Sequence, residues 1–313
     1  MRKKSILLAL VLFLALVLIS CRDTRILKPI GSVRTGIGYS IDIKDQFVYI
    51  SGNDGFSIVN VQNPEKPVRV GKFLADTSFG LRVNGDLVYL ASSQNLIIVD
   101  VNDPSNPSEV GHYQINGIAN TVEAGSNYAY LGASTGLYIF DVVNPVSPIL
   151  LAAYGEGKEV RDIVLNGDLL YVGFPDRGVQ VIDISNPAVP DLIATIPDTG
   201  GVQGVYIGDK YIFAACHQRG IKIANVENIY NPQIVGSYLD NDGGEALAVW
   251  GKGNILFVAD NFNIEVLNIE DPVRPVEIGT YSRVSAAHDL VGDQSLIFIP
   301  HTRLLVLEFE GDL

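Results

Sequence analysis

Residues 96–104 read Leu96-Ile97-Ile98-Val99-Asp100-Val101-Asn102-Asp103-Pro104, an apolar strand running straight into an Asx-Pro turn. β-Branched and aliphatic residues suit a pleated, buried strand. An Asn or Asp bonds the backbone ahead of it, and proline presets φ while forcing the preceding residue to be extended. The same turn recurs along the chain as Asn63-Pro64-Glu65-Lys66-Pro67, Asp103-Pro104 to Pro107, Asn144-Pro145 to Pro148, Asn186-Pro187 to Pro190 and Asp271-Pro272 to Pro275. Asn231-Pro232 reads as a degraded copy that lacks the second proline and has Ile229-Tyr230 inserted before it. An aromatic is as regular: Tyr49, Tyr89, Tyr130, Tyr171, Phe213, Phe257 and Phe298, spaced 40, 41, 41, 42, 44 and 41. Ten to twelve residues after each comes Asn60, Asp100, Asp141, Asp183, Asn225, Asn268 or Glu308. Two independent markers in seven copies make internal repetition the first fact about this chain.

Each period holds four short β-type stretches, at 68–73, 80–84, 87–91 and 96–101 in the second unit. Asn84-Gly85-Asp86 is a tight-hairpin signal, and Asn166-Gly167-Asp168 repeats it. Four strands per 40 to 44 residues, without a helical period, describe an all-β propeller whose blades each have four antiparallel strands. Blade number follows from phase. The chain begins with a stretch of the kind that follows a turn (26–33) and ends with one that precedes a turn (304–309). Gly31 lies 18 residues before Tyr49, as Gly71 does before Tyr89. The expectation is a seven-bladed β-propeller over 26–313, closed by the N-terminal strand, which hides the sheet edge that an open ring would expose. Six blades with stray terminal strands is the alternative. The recurring Tyr/Phe are expected to fill space between blades, and the recurring Asp/Asn to cap turns.

Segments such as 96–104 and Gly178-Val179-Gln180-Val181-Ile182-Asp183-Ile184-Ser185-Asn186-Pro187 resemble the LVIVD-repeat family of secreted and surface β-propellers. The likeness extends over roughly 26–313. It implies the propeller fold and transfers no catalytic motif.

The N-terminus reads as an address. Arg2, Lys3 and Lys4 precede an apolar run from Ile6 to Ile19. As a helix it would span about 21 Å, short of the roughly 30 Å bilayer core. A basic start, a short apolar middle and small residues at the end describe a signal peptide, 1–20. Leu18-Ile19-Ser20-Cys21 resembles the lipobox of bacterial lipoproteins, which implies acylation of Cys21, a tether over 21–25 and a place on the cell envelope. By the same resemblance Arg22 favours the outer membrane in a Gram-negative cell. Two acyl chains anchor stably where one does not.

The chain has 313 residues, 47% of them hydrophobic and 18% charged, which excludes disorder and coiled coil. Lys and Arg number 22 against 35 Asp and Glu, net −13, so a nucleic-acid surface is excluded. Residues 1–20 carry three basic and no acidic groups; without them the balance is 19 against 35, net −16. Such a body is repelled by anionic lipid, so the acyl chains must do the holding.

Function in repeat folds sits where copies differ. Ten residues before each marker aromatic, on the approach to the innermost strand, stand Tyr39, Phe79, Asn120, Arg161, Gln203, Leu247 and His288, a mixed ring suited to a ligand-contacting channel mouth. Glu159, Arg161, Asp162 and His288-Asp289 form an acid–base set if blades four and seven meet there. Asp240-Asn241-Asp242-Gly243-Gly244-Glu245 gathers Asp240, Asp242 and Glu245 as oxygen ligands for Ca²⁺, without the EF-hand layout. Cys216 and His217 are neighbours on a strand end and point to opposite faces, which argues against a shared metal. The four histidines lack zinc spacing, and no nucleophile elbow, phosphate loop or dinucleotide fingerprint is present. The favoured reading is a monomeric, lipid-anchored, non-enzymatic binding or scaffold module for a protein or glycan partner, with no cofactor. The alternative is a propeller hydrolase or lyase acting on carbohydrate or peptide, using Arg161, His288 and Glu245.

Overall fold

The computed structural model describes residues 26–240, 243–282, 284 and 287–311. The expected leader, Cys21, the expected tether and Asp242 lie outside the described residues. Within them the chain folds into seven four-stranded antiparallel sheets. Six sheets use consecutive strands, as in Gly38–Lys44, Phe47–Gly52, Gly55–Asn60 and Val68–Phe73. The seventh takes Val291–Asp293, Leu296–Pro300 and Leu304–Phe309 from the end of the chain and Leu27–Val33 from its beginning. Leu27 pairs with Phe309 and Val33 with Leu304. The ring has seven blades and closes as the phase of the repeats requires.

The marker aromatics stand on the second strand of each blade and are buried. Each packs on the following blade: Tyr49 with Leu81, Val88 and Leu90, Tyr89 with Val122, Ala129 and Leu131, and so around the ring to Phe298 with Ile41, Val48 and Ile50. The core is therefore seven inter-blade layers, and a single large ring recurring once per repeat is what fills each one.

The outer strands show what the glycines and turns are for. In every blade the outer strand slips register by one residue, as between Ile58 and Val59 opposite Gly71 and Arg69. This bulge lets the turn of the next blade approach closely. A Cβ on Gly71 would stand 1.9 Å from the Pro104 carbonyl oxygen, one on Gly31 2.0 Å from that of Pro64, and those on Gly111 and Gly236 2.1 Å from those of Pro145 and Pro272. Ala152 and Ala194 occupy the corresponding places in blades three and four.

The recurring Asn/Asp cap these turns. The Oδ1 atoms of Asn60, Asp100, Asp141, Asp183, Asn225 and Asn268 accept from the N–H two residues ahead at 2.8 to 2.9 Å. Three residues on, a second Asx does the same, from Asn63 Oδ1 to Asp271 Oδ1. Glu308 departs from the pattern: it lies in a strand, paired opposite Lys28, whose Nζ is 3.9 Å away.

The fifth blade corrects the expectation of an insertion. Asn228 accepts from Tyr230 N–H at 3.2 Å, and its carbonyl accepts from Asn231 N–H, as that of Asn63 does from Lys66. Residues 228–232 therefore match 63–67. Pro232 is the second proline, Ile229 stands where the first would be, and nothing is inserted. The additional length of this repeat lies between Tyr238 and Ala248, the strand ends that bound the connection to blade six.

Replacing Gly71 with alanine sets a methyl against a carbonyl that the neighbouring blade holds in place. A loss of about 1–3 kcal/mol is expected, read as the shift of the urea midpoint at constant slope. An unshifted midpoint would show that the turn contact yields without cost.

Candidate functional site

The innermost strands surround an axial funnel of about 340 Å³, and all seven residues of the predicted ring line it. The ring is lopsided. On one side Tyr39 lies 5.2 Å from Phe79 and 5.8 Å from His288 between ring centroids, an aromatic wall drawn from three adjacent blades. On the other, Asn120 Nδ2 donates to the Val160 carbonyl at 3.0 Å, and Arg161 Nη2 sits 3.2 Å from Glu159 Oε1. Desolvation in this crowded mouth, with His301 nearby, holds His288 below its ordinary pKa, so its imidazole is neutral at neutral pH.

Below the mouth lies a layer of charge that a count from the aromatics does not reveal. The edge of each innermost strand has no further strand to pair with, so its N–H groups need other acceptors. Asp289 Oδ2 accepts from Ile41 N–H at 3.0 Å and Ser40 Oγ at 2.9 Å, joining blade seven to blade one. Asp162 Oδ2 accepts from Val205 N–H at 2.7 Å, joining blades four and five. Asp42 Oδ2 accepts from Val83 N–H at 2.8 Å, joining blades one and two. Each also takes the N–H of its own following residue through Oδ1. Arg82 Nη2 bonds Glu123 Oε2 at 2.5 Å, and its Nη1 is 3.6 Å from Asp42 Oδ2.

Burial pushes Asp162 up to about 7 against the pull of the Val205 N–H, with the Asp289 charge adding to the rise. Burial likewise pushes Asp289 up to about 6, against the N–H of Ile41 and the Ser40 hydroxyl. Burial works against the charge on Arg82, but Glu123 and Asp42 outweigh it and hold the guanidinium protonated. Of the expected acid–base set, Arg161, Asp162, His288 and Asp289 line one funnel, with Asp162 and Asp289 tied to backbone donors, and Glu159 is not among its lining residues. Asp42, Arg82 and Glu123 were missed, although each stands three residues after a ring position and they are spaced 40 and 41 apart, at the repeat period.

Of the expected calcium set, Asp242 lies outside the described residues. Asp240 groups with Asp260 and Glu265, whose oxygens lie within 4.8 Å of one another, and Glu245 is not in that group. Three oxygen donors match a hard cation by type. Burial, and then the charges of Asp240 and Asp260, push Glu265 up to about 9, so that it stays protonated and bonds Asp240. Glu245 instead lies 3.1 Å from His217 Nε2 and accepts from Gln218 at 3.0 Å and Asn261 at 2.6 Å. It does not line the funnel with Arg161 and His288. Cys216 is fully buried, its Sγ donating to the Ala214 carbonyl at 3.4 Å, and burial pushes the thiol up to about 12, so it is an inert packing group.

Matches to the LVIVD repeat fall at residues 35–75, 78–115, 116–155, 157–197 and 243–283, well over half of the chain. The chain belongs to the LVIVD-repeat family. Each matched stretch holds one blade's four strands, apart from the fifth and seventh blades, which lie outside the matches. The likeness to solved structures extends to distant propellers. The Cps50 (Swd1) β-propeller domain of Myceliophteria thermophila has a TM-score of 0.75 at 12% identity, over 90% of this chain and 99% of that one. The WD40 β-propeller domain of Doa1 has a TM-score of 0.75 at 8% identity, over 91% and 97%. The computationally designed Ika8 protein has 0.66 at 10% identity, over 90% and 98%. At such identities the likeness is one of fold. No curated protein sequence matches the LVIVD chain.

The raised carboxyls fix a sign for stability against pH. Glu265 binds its proton up to about 9 in the folded chain and only to its ordinary 4.5 when unfolded, so the folded state holds more protons between those limits and loses stability as pH rises through them. Asp162 and Asp289 act in the same direction over a lower range. The urea midpoint is expected to fall between pH 6 and pH 9, and to fall less in Glu265→Gln, which mimics the protonated acid. Parallel curves for the two proteins would disprove the assignment.

Proposed function

We propose that the chain is a lipid-tethered binding module of the bacterial cell envelope, held at the membrane through Cys21 and offering its funnel mouth to a protein or glycan partner without turning it over. The observation that carries this reading is the contrast between scaffold and mouth. Turn, glycine and aromatic positions recur around the ring, while the seven mouth positions hold seven different residues. Variation gathered on one concave surface of a repeated scaffold is how such folds carry recognition.

The direction of the first strand supports the tether. Gly31 holds the place of Gly71, so Leu27 holds that of Pro67 at the end of an Asx-Pro turn. The chain therefore enters the ring on the turn face. Each inner strand runs from its ring position toward that turn face, so the seven ring positions stand on the other side. A lipid on Cys21, six residues before Leu27, would set the turn face against the bilayer and the mouth away from it. A binding role fits the acids better than a hydrolytic one, because Asp162 and Asp289 already accept backbone N–H groups on both oxygens.

Two measurements test this in the living host. Cys21→Ser should abolish incorporation of labelled palmitate and move the chain from the membrane to the soluble fraction. A photo-cross-linking residue at Phe79, exposed at the mouth, should capture a partner that the same residue at Val143, 66% exposed beside a turn on the opposite face, does not. Equal capture at the two positions, or none at Phe79, would overturn the assignment of the mouth.

A further inference from the structure

Charge inside the funnel is unevenly compensated. Arg82 is held by Glu123 at 2.5 Å and Arg161 by Glu159 at 3.2 Å, so both arginines are spoken for. Asp162 and Asp289 have backbone and hydroxyl donors, but among the described residues no lysine or arginine lies within ion-pair distance of either. Both line the funnel and are reached from its lumen. Above them, Tyr39 and Phe79 present aromatic faces at the mouth. Outside the mouth the apolar surface continues: Ile37 is 47% exposed, Leu74 71% and Ile118 50%. A depression of about 470 Å³ beside Phe79 is bounded by Ala75 and Ile118 and by the polar Asn53, Asp76, Thr77 and Ser93.

We propose that the occupant of this face is a protein segment that inserts a lysine or arginine side chain into the funnel, toward Asp162 and Asp289, and lays flanking apolar side chains on Ile37, Leu74, Phe79 and Ile118. The inference rests on the binding reading above and adds the chemistry of the partner. A long cationic side chain crosses the aromatic mouth favourably. It brings a counter-charge into direct contact with two desolvated carboxylates on which Arg82 acts only from beyond ion-pair distance. The exposed aliphatic side chains of Ile37, Leu74 and Ile118 match apolar side chains, and the polar Asn53, Asp76, Thr77 and Ser93 beside Phe79 can meet the backbone of the same segment. Because Asp162, at about 7, is partly protonated at neutrality and Asp289, at about 6, is partly protonated just below it, entry of the cation displaces protons into the buffer.

The test is a selection of displayed random nonapeptides on the full chain in detergent micelles. Binders are expected to share one lysine or arginine with apolar neighbours. Titration of such a peptide should release protons, read as a binding heat that depends on the ionisation heat of the buffer. Changing its cation to glutamate, or Asp162→Asn together with Asp289→Asn in the protein, should each weaken binding about tenfold or more. Because those aspartates also join blades, Leu74→Ser and Ile118→Ser, both at exposed positions, provide a second arm and should weaken the same peptide with unchanged thermal unfolding. Spermidine alone should bind less tightly than the peptide and be indifferent to Leu74→Ser. A library without basic enrichment, binders indifferent to all of these changes, or spermidine binding as tightly as the peptides would overturn the proposal. Capture of a glycan from Phe79 in cells would overturn it too, while leaving the funnel as the binding face.

Discussion

A ring of sheets has an inner edge that no further strand can cover, and each N–H along it needs an acceptor. In this chain Asp42, Asp162 and Asp289 meet part of that need by reaching across to the backbone of the next blade. A carboxylate suits the task because its two oxygens serve the strand that carries it and the strand it joins. The consequence is chemical. The groups that lace the ring together at its inner radius also make the funnel acidic, and their desolvation raises the affinity of Asp162 and Asp289 for protons.

At the outer radius the ring is sealed differently. A bulge and a glycine on one blade receive the carbonyl of a proline turn on the next, as Gly71 receives Pro104. This joint takes a small residue, glycine in five blades and Ala152 or Ala194 in the other two, against an Asx turn, so near-identical residues make it in blade after blade. The inner joint has no such uniformity, and its acids stand in blades one, four and seven. Repetition outside and individuality inside both follow from what each joint demands.

That difference also explains what could be read from the sequence. Tyr49, Asn60 and Gly71 have counterparts that do the same work in other copies, so their spacing gave blade number and closure. The mouth residues were reached by counting along the same period. Asp42, Arg82 and Glu123 fall on the period as well, but they sit inside strands that read as ordinary, and nothing local shows that the strand edge beside them lacks a partner. Asn231-Pro232 misled because the dipeptide resembles Asn63-Pro64, whereas the register runs from Asn225 and Asn228. Asp240 and Glu245 are near in sequence, yet the loop turns Asp240 toward Asp260 and Glu265 on another part of blade six. Loop direction is a tertiary property that sequence proximity does not give.

The funnel is walled by strands rather than by long loops, so its geometry exists before anything enters it. Tyr39, Phe79 and Asn120 are second residues of inner strands, Arg161, Gln203 and Leu247 stand immediately before theirs, and His288 lies three residues before Val291–Asp293, while the other face of these strands is locked in inter-blade layers. Binding to such a wall spends little on ordering the protein, and selectivity must then come from which side chains stand there. An aromatic side and a polar, acid-backed side within one rigid opening give a ligand two unlike surfaces to satisfy together. A partner with one kind of surface leaves the other unmatched. The asymmetry of the mouth is therefore what distinguishes this propeller from the bare scaffold that its repeats describe.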